Sequence, residues 1–167
     1  NQDADPTFVL QWAPHADDCI VAALATVIGR TYAETAAALG VALDPITGQP
    51  HALKGKGITM SSIGGPLLSI GMTATFILST AGGGSLEPAD MRRHLVGRRA
   101  VLAAEAFPVG MDADYDGPRE LHALAWTGTR LFDCRGPEVR ELSIDEVAIV
   151  GATIVAELHA LGRQLAG

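Results

Sequence analysis

The sequence predicts an α+β domain in which N-terminal helices, one of them opening on a cysteine, pack against an antiparallel β-sheet. Three observations carry that expectation. Apolar residues lie nearly all around the segment from Asp18 to Ile28, as in a helix buried at a domain centre. A second, capped helical segment follows at once, and the second half of the chain is a series of β-prone runs punctuated by Gly and Pro. With 167 residues and 48% apolar content the chain can bury one full-sized core, so a single domain spanning 1–167 is expected.

The elements follow in order. Residues 1–7 are polar and read as an arm, and Phe8 to Trp12 is a short β-prone run ended by Pro14. Asp17 or Asp18 is placed to cap the first helix, and Gly29 ends it. Thr31 caps a second helix over Tyr32 to Leu39. Glu34 completes its capping box and Gly40 is its stop, so the two helices form a hairpin.

Asp44 to Gly57 is a Gly- and Pro-rich loop, and Thr59 opens a helix shortened by Gly64-Gly65-Pro66. Met72 to Leu78 is β-prone, and the Gly82-Gly83-Gly84 segment reads as a flexible connection or a cleft-edge loop. Pro88 to Val96 is helical with Gly97 as its end. Strands are expected over Arg99 to Phe107, Glu120 to Trp126, Thr129 to Asp133 and Ala152 to Leu158. An acidic loop follows the first of them, and a single helical turn at Ser143 to Glu146 precedes the last.

Composition excludes some functions. A net charge of −7, with basic residues scattered apart from Arg92-Arg93 and Arg98-Arg99, gives no surface suited to nucleic acid. No apolar run is long enough to span a bilayer, and the polar, acidic N-terminus is unlike a signal peptide. A soluble, cytoplasmic protein is the expectation, with a processed leader left open because the chain begins at Asn1. Cys19 and Cys134 are read as free thiols, since a core of this size needs no disulfide. The arginine and alanine bias suggests a bacterial source.

Chemistry concentrates at two places. Cys19 sits at the mouth of the first helix, where unpaired N–H groups and the positive end of the helix dipole suit a nucleophilic sulfur and a developing oxyanion. The flanking carboxylates oppose this, and a buried, inert cysteine is the plain alternative. In the second half, a two-residue turn at Thr127-Gly128 would pair Trp126 with Thr129 and, counting outward, His122 with Asp133. That pair would be a base and the carboxylate that orients it. The alternative is a satisfied core histidine beside a strand-end aspartate.

These residues carry a family resemblance. Asp18-Cys19 opens an Ala/Leu-rich helix, Gly29 and a short capped helix follow, and a strand begins after Gly97-Arg98-Arg99. His122-Ala123-Leu124-Ala125 then precedes Gly128 and a strand-end aspartate. From about Phe8 to Val147 the chain resembles papain-like cysteine peptidases, most closely the bacterial branch similar to the C39 peptidases. The resemblance implies a papain-like fold and a thiol-protease triad with Cys19 as nucleophile, His122 as general base and acid, and Asp133 orienting His122. It implies a peptide or protein substrate and no cofactor.

Three positions depart from the family pattern. Ala13 stands where the family has its oxyanion glutamine, six residues before the cysteine; Gln11, eight before, is the nearest candidate, with the backbone N–H of Cys19 as the other donor. Ile20 replaces the usual glycine and Cys134 the usual proline. Two rival functions stay open: a catalytically silent papain-like module for peptide binding or structure, favoured by Ala13, and an acyltransferase or deamidase on the same triad.

Competing sites are weaker. Asp112-Ala113-Asp114-Tyr115-Asp116-Gly117 matches the opening of a calcium loop, but its twelfth position is Ala123 rather than glutamate. His15 and Cys19 lack any zinc-type spacing with the remaining ligands, so no metal is expected. His51, His94 and His159 stand alone, and Gly55-Lys56-Gly57 lacks the spacing of a phosphate loop.

Overall fold

The computed structural model describes residues 7–12, 18–51, 58–106 and 120–158. The predicted acidic loop with its calcium-like pattern, the Ala13–Asp17 approach to the cysteine and the C-terminal tail lie outside them.

Four helices and a six-stranded sheet make up the described chain. The first helix, α1 (Cys19–Ile28), ends at Gly29, whose φ of 68° provides the left-handed stop. The second, α2 (Tyr32–Ala38), begins in the expected capping box, with the Thr31 side chain accepting from the Glu34 N–H and Glu34 reaching back to Thr31. The third, α3 (Gly64–Ser69), follows a 3₁₀ turn at Met60–Ser62 and places Pro66 in its first turn, where a missing N–H costs nothing. The fourth, α4 (Pro88–Leu95), starts on proline.

The strands are β1 (Met72–Leu78), β2 (Ala100–Ala106), β3 (Glu120–Trp126), β4 (Leu131–Asp133), β5 (Arg140–Leu142) and β6 (Ile149–Glu157). Their order in the sheet is β1-β6-β2-β3-β4-β5, and every pair is antiparallel. Alternation along β2 and β3 divides the core into two layers. Val101, Ala123 and Ala125 pack with Ile20, Ala22, Ala23, Leu24 and Val27 of α1, joined by Ile63 and Leu67. Leu102, Leu124 and Trp126 pack on the opposite face with Met91 and Leu95 of α4. Small residues at 123 and 125 let α1 lie close to the sheet, which fixes where its first residue falls.

Several expectations are corrected. Phe8 to Trp12 is extended but joins no strand of the sheet. It lies instead across α1 and the end of β4, with the Val9 N–H on Thr26 Oγ1 (2.9 Å) and the Gln11 N–H on the Cys134 carbonyl (3.0 Å). β5 falls after Gly136-Pro137, where no element was assigned, and β6 begins three residues earlier than predicted. The triple-glycine segment, read as a flexible connection or a cleft-edge loop, begins in a 3₁₀ turn at Thr80–Gly82 and packs tightly against neighbouring backbone. A side chain at Gly84 would meet the Leu78 carbonyl oxygen at 2.2 Å, and one at Gly82 the Val150 oxygen at 2.4 Å, so these glycines permit close backbone contact.

The β3–β4 turn is also displaced. Thr127 N–H bonds to the Arg130 carbonyl (3.0 Å), and the ladder pairs Trp126 with Leu131 and Ala125 with Phe132. The two central residues are therefore Gly128 and Thr129, one position later than predicted. Gly128, with φ 106°, takes the first central position, where a hairpin turn of the twisted kind wants glycine.

Candidate active site

Moving the turn by one residue shifts the pairing by two. Because strand side chains alternate with a period of two, His122 and Asp133 keep a common face. They are diagonal neighbours, not the directly opposed pair that the sequence suggested. The diagonal is closed by an imidazole long enough to span it: His122 Nε2 lies 2.8 Å from Asp133 Oδ1. On the other side of β3, His122 stands opposite Ala104, whose small side chain leaves room for the ring.

The pair is buried, with 6% of each residue exposed. Asp133 Oδ1 also accepts the Arg135 backbone N–H at 2.8 Å, an Asx-type turn that fixes the carboxylate. Burial works against the Asp133 charge. The hydrogen bond and charge of His122, with the Arg135 N–H, outweigh it and hold the carboxyl below its usual range.

Cys19 is the first residue of α1 and is partly buried. Its side chain adds to the upward push on the His122 pKa. Since Nε2 is occupied by Asp133, Nδ1 is the ring nitrogen left for the sulfur. Burial disfavours the imidazolium, but hydrogen bonds to Asp133 and Cys19, together with both charges, push the His122 pKa up to about 9. The chemistry such an arrangement can perform is proton exchange between a thiol and an imidazole whose tautomer is set by a carboxylate.

Asp18 occupies the N-cap position of α1 but makes no side-chain capping bond, a correction to the sequence reading; Asp17 lies outside the described residues. The first intrahelical bond is Ala22 N–H to the Asp18 carbonyl, so the N–H groups of Cys19, Ile20 and Val21 have no partner within the helix. Gln11 is buried, with 8% exposed, and its Nε2 donates to Asp18 Oδ1 at 2.9 Å. The candidate oxyanion residue is thus tied to the residue next to Cys19 by its side chain and to the residue next to Asp133 by its backbone.

No family model, curated protein or solved structure matches this chain. Its functional reading therefore rests on the site alone.

Cys134 neighbours the site without joining it. Its thiol lies 3.5 Å from Thr26 Oγ1, and burial, with the Asp133 charge, pushes it up despite that hydrogen bond, which marks an inert thiol. Among the described residues, no three His, Cys, Asp or Glu side chains are arranged to hold a metal ion, and no helix is long and apolar enough to cross a membrane. Sequence reasoning missed the contacts of Asp18, whose partners Gln11 and Trp12 come from one segment and Tyr32 from another, with no local spacing to connect them.

Proposed function

We propose that the chain is a papain-like cysteine hydrolase acting on a peptide or other amide bond through a Cys19–His122–Asp133 triad. The observation that carries this reading is a buried imidazole on β3 bonded through Nε2 to the Asp133 carboxylate of β4, with the Cys19 side chain of α1 near enough to add to its raised pKa. A structural histidine needs one partner; a base needs an orienter and a nucleophile as well.

The steps follow from these parts. The Cys19 proton passes to His122, and the sulfur attacks the substrate carbonyl carbon, with the displaced electron pair moving to oxygen. The Cys19 N–H and the Gln11 carboxamide stabilise that oxyanion. Collapse of the tetrahedral adduct breaks the C–N bond as protonated His122 gives its proton to the leaving amine, and a thioester remains on Cys19. His122 then takes a proton from water, which attacks the thioester and releases the acid and the thiol. Asp133 holds His122 with its Nε2–H engaged throughout and stabilises the imidazolium.

The test is acyl-enzyme formation. Incubation with 4-nitrophenyl acetate is expected to add one acetyl group at Cys19, with release of nitrophenolate, and to do so far more slowly in His122→Ala. Equal acetylation in the two proteins, or acetylation at surface groups with Cys19 untouched, would refute the triad.

A further inference from the structure

Asp18 has 0% of its surface exposed. Removing a carboxylate from water costs several kcal/mol unless its lone pairs are filled. Three donors from two segments fill them: Gln11 Nε2 on Oδ1 at 2.9 Å, the Trp12 backbone N–H on Oδ2 at 2.8 Å and the Tyr32 hydroxyl on Oδ2 at 2.7 Å. Burial, with the hydrogen bond and charge of Asp18, pushes the Tyr32 hydroxyl well above its ordinary value, so it remains a donor.

An aspartate at a helix start ordinarily turns its carboxylate onto the N–H groups of the first turn. Asp18 turns away from them, toward Gln11. Two consequences follow at the adjacent Cys19. The Asp18 carboxylate leaves the first-turn N–H groups unbonded, and the Gln11 carboxamide has one permitted orientation. Reversing it would set a carbonyl oxygen against a carboxylate. With one N–H committed to Oδ1, the planar carboxamide directs its other N–H about 120° away. Among the described residues Gln11 Oε1 has no hydrogen-bond partner; it is an acceptor, so the part Gln11 can play toward an oxyanion falls to the second Nε2 hydrogen alone.

We infer that Asp18 is a positioning residue for the reaction at Cys19: its buried carboxylate orients Gln11 so that the carboxamide N–H not bonded to Oδ1 serves the oxyanion, while itself making no cap on the first turn of α1. This rests on the reading of Cys19 as an acyl-accepting nucleophile.

Two reagents on the same sulfur separate positioning from structure. 4-Nitrophenyl acetate reacts through a tetrahedral oxyanion, whereas iodoacetamide reacts by displacement at a saturated carbon and forms none. In the 167-residue chain, Asp18→Asn and Gln11→Leu are each expected to slow Cys19 acetylation by about 10-fold or more while alkylation stays within about twofold. In the Gln11→Leu background, Asp18→Asn is expected to have no further effect, because one acts through the other. Parallel loss of both reactions, an unchanged ratio, or independent multiplying effects would overturn the inference. If Asp18→Asn does not fold, Tyr32→Phe removes one donor from the same carboxylate and must lower acetylation severalfold, again only when Gln11 is present. Wild-type Cys19 that is alkylated no faster than in His122→Ala overturns the triad and Asp18's role with it. Normal activation with an unchanged ratio overturns Asp18's role alone.

Discussion

His122 and Asp133 meet across a diagonal of the β3–β4 ladder, with 2.8 Å between Nε2 and Oδ1, and the same oxygen accepts the Arg135 N–H. A carboxylate anchored in this way sets which ring nitrogen carries the proton. Asp133→Asn would weaken that control, since an amide can present N–H as well as oxygen to the ring. The expected result is a His122 pKa lowered from about 9 toward its ordinary value, together with a fall in Cys19 acetylation on the order of 10²-fold or more. A titration of the His122 Cε1–H by NMR and the acetylation rate check both parts.

Stability should depend on pH with a definite sign. His122 is raised from 6.5 in the unfolded chain to about 9 on folding, so its contribution is fully present below about pH 6.5 and is lost as pH rises through 9. Asp133 is lowered from 3.8, so its contribution is present above that value and is lost as pH falls through the lower folded-state pKa. Urea midpoints are expected to fall between neutral and about pH 10. Asp133→Asn should flatten that alkaline slope.

The turn after β1 is sensitive to a single methyl group. Gly84→Ala would place a Cβ 2.2 Å from the Leu78 carbonyl oxygen, which is backbone and cannot swing aside. A loss of about 1–3 kcal/mol is expected in denaturant unfolding. Activity per folded molecule at Cys19 should be unchanged.

Thr31→Ala removes the capping-box acceptor for the Glu34 N–H and should cost about 1 kcal/mol. Because the box sits at the far end of α1 from Cys19, its loss is expected to leave the rate of Cys19 alkylation unchanged. Equilibrium unfolding and alkylation of the same variant check the two statements.

The fold was legible where local signals agreed. The apolar α1 with Gly29, the α2 capping box and β1 to β3 all carry period, cap and stop in their own residues. β5 was not, because Arg140-Glu141-Leu142 is too short to show a pattern and is a strand only through its pairing with β4. Phe8 to Trp12 has strand composition, yet Thr26 on α1 and Cys134 beyond β4 take the Val9 and Gln11 N–H groups, and these partners are distant in sequence.

The site shows the same division. His122 and Asp133 were paired on a misplaced turn, and the pairing survived because a two-residue slip preserves the face. A glycine at the first rather than the second central position was the clue. Asp18 was read as a cap because spacing shows only the nearby N–H groups, whereas its actual donors reach it from Gln11, Trp12 and Tyr32.

The central claim is that His122 activates Cys19, and alkylation by iodoacetamide tests it most directly. At about pH 6, wild-type Cys19 is expected to react at least about 10-fold faster than Cys19 in His122→Ala, because imidazolium and thiolate stabilise one another. That advantage should fade as pH rises through about 9, where His122 loses its proton. Equal rates in the two proteins across the range would contradict the account.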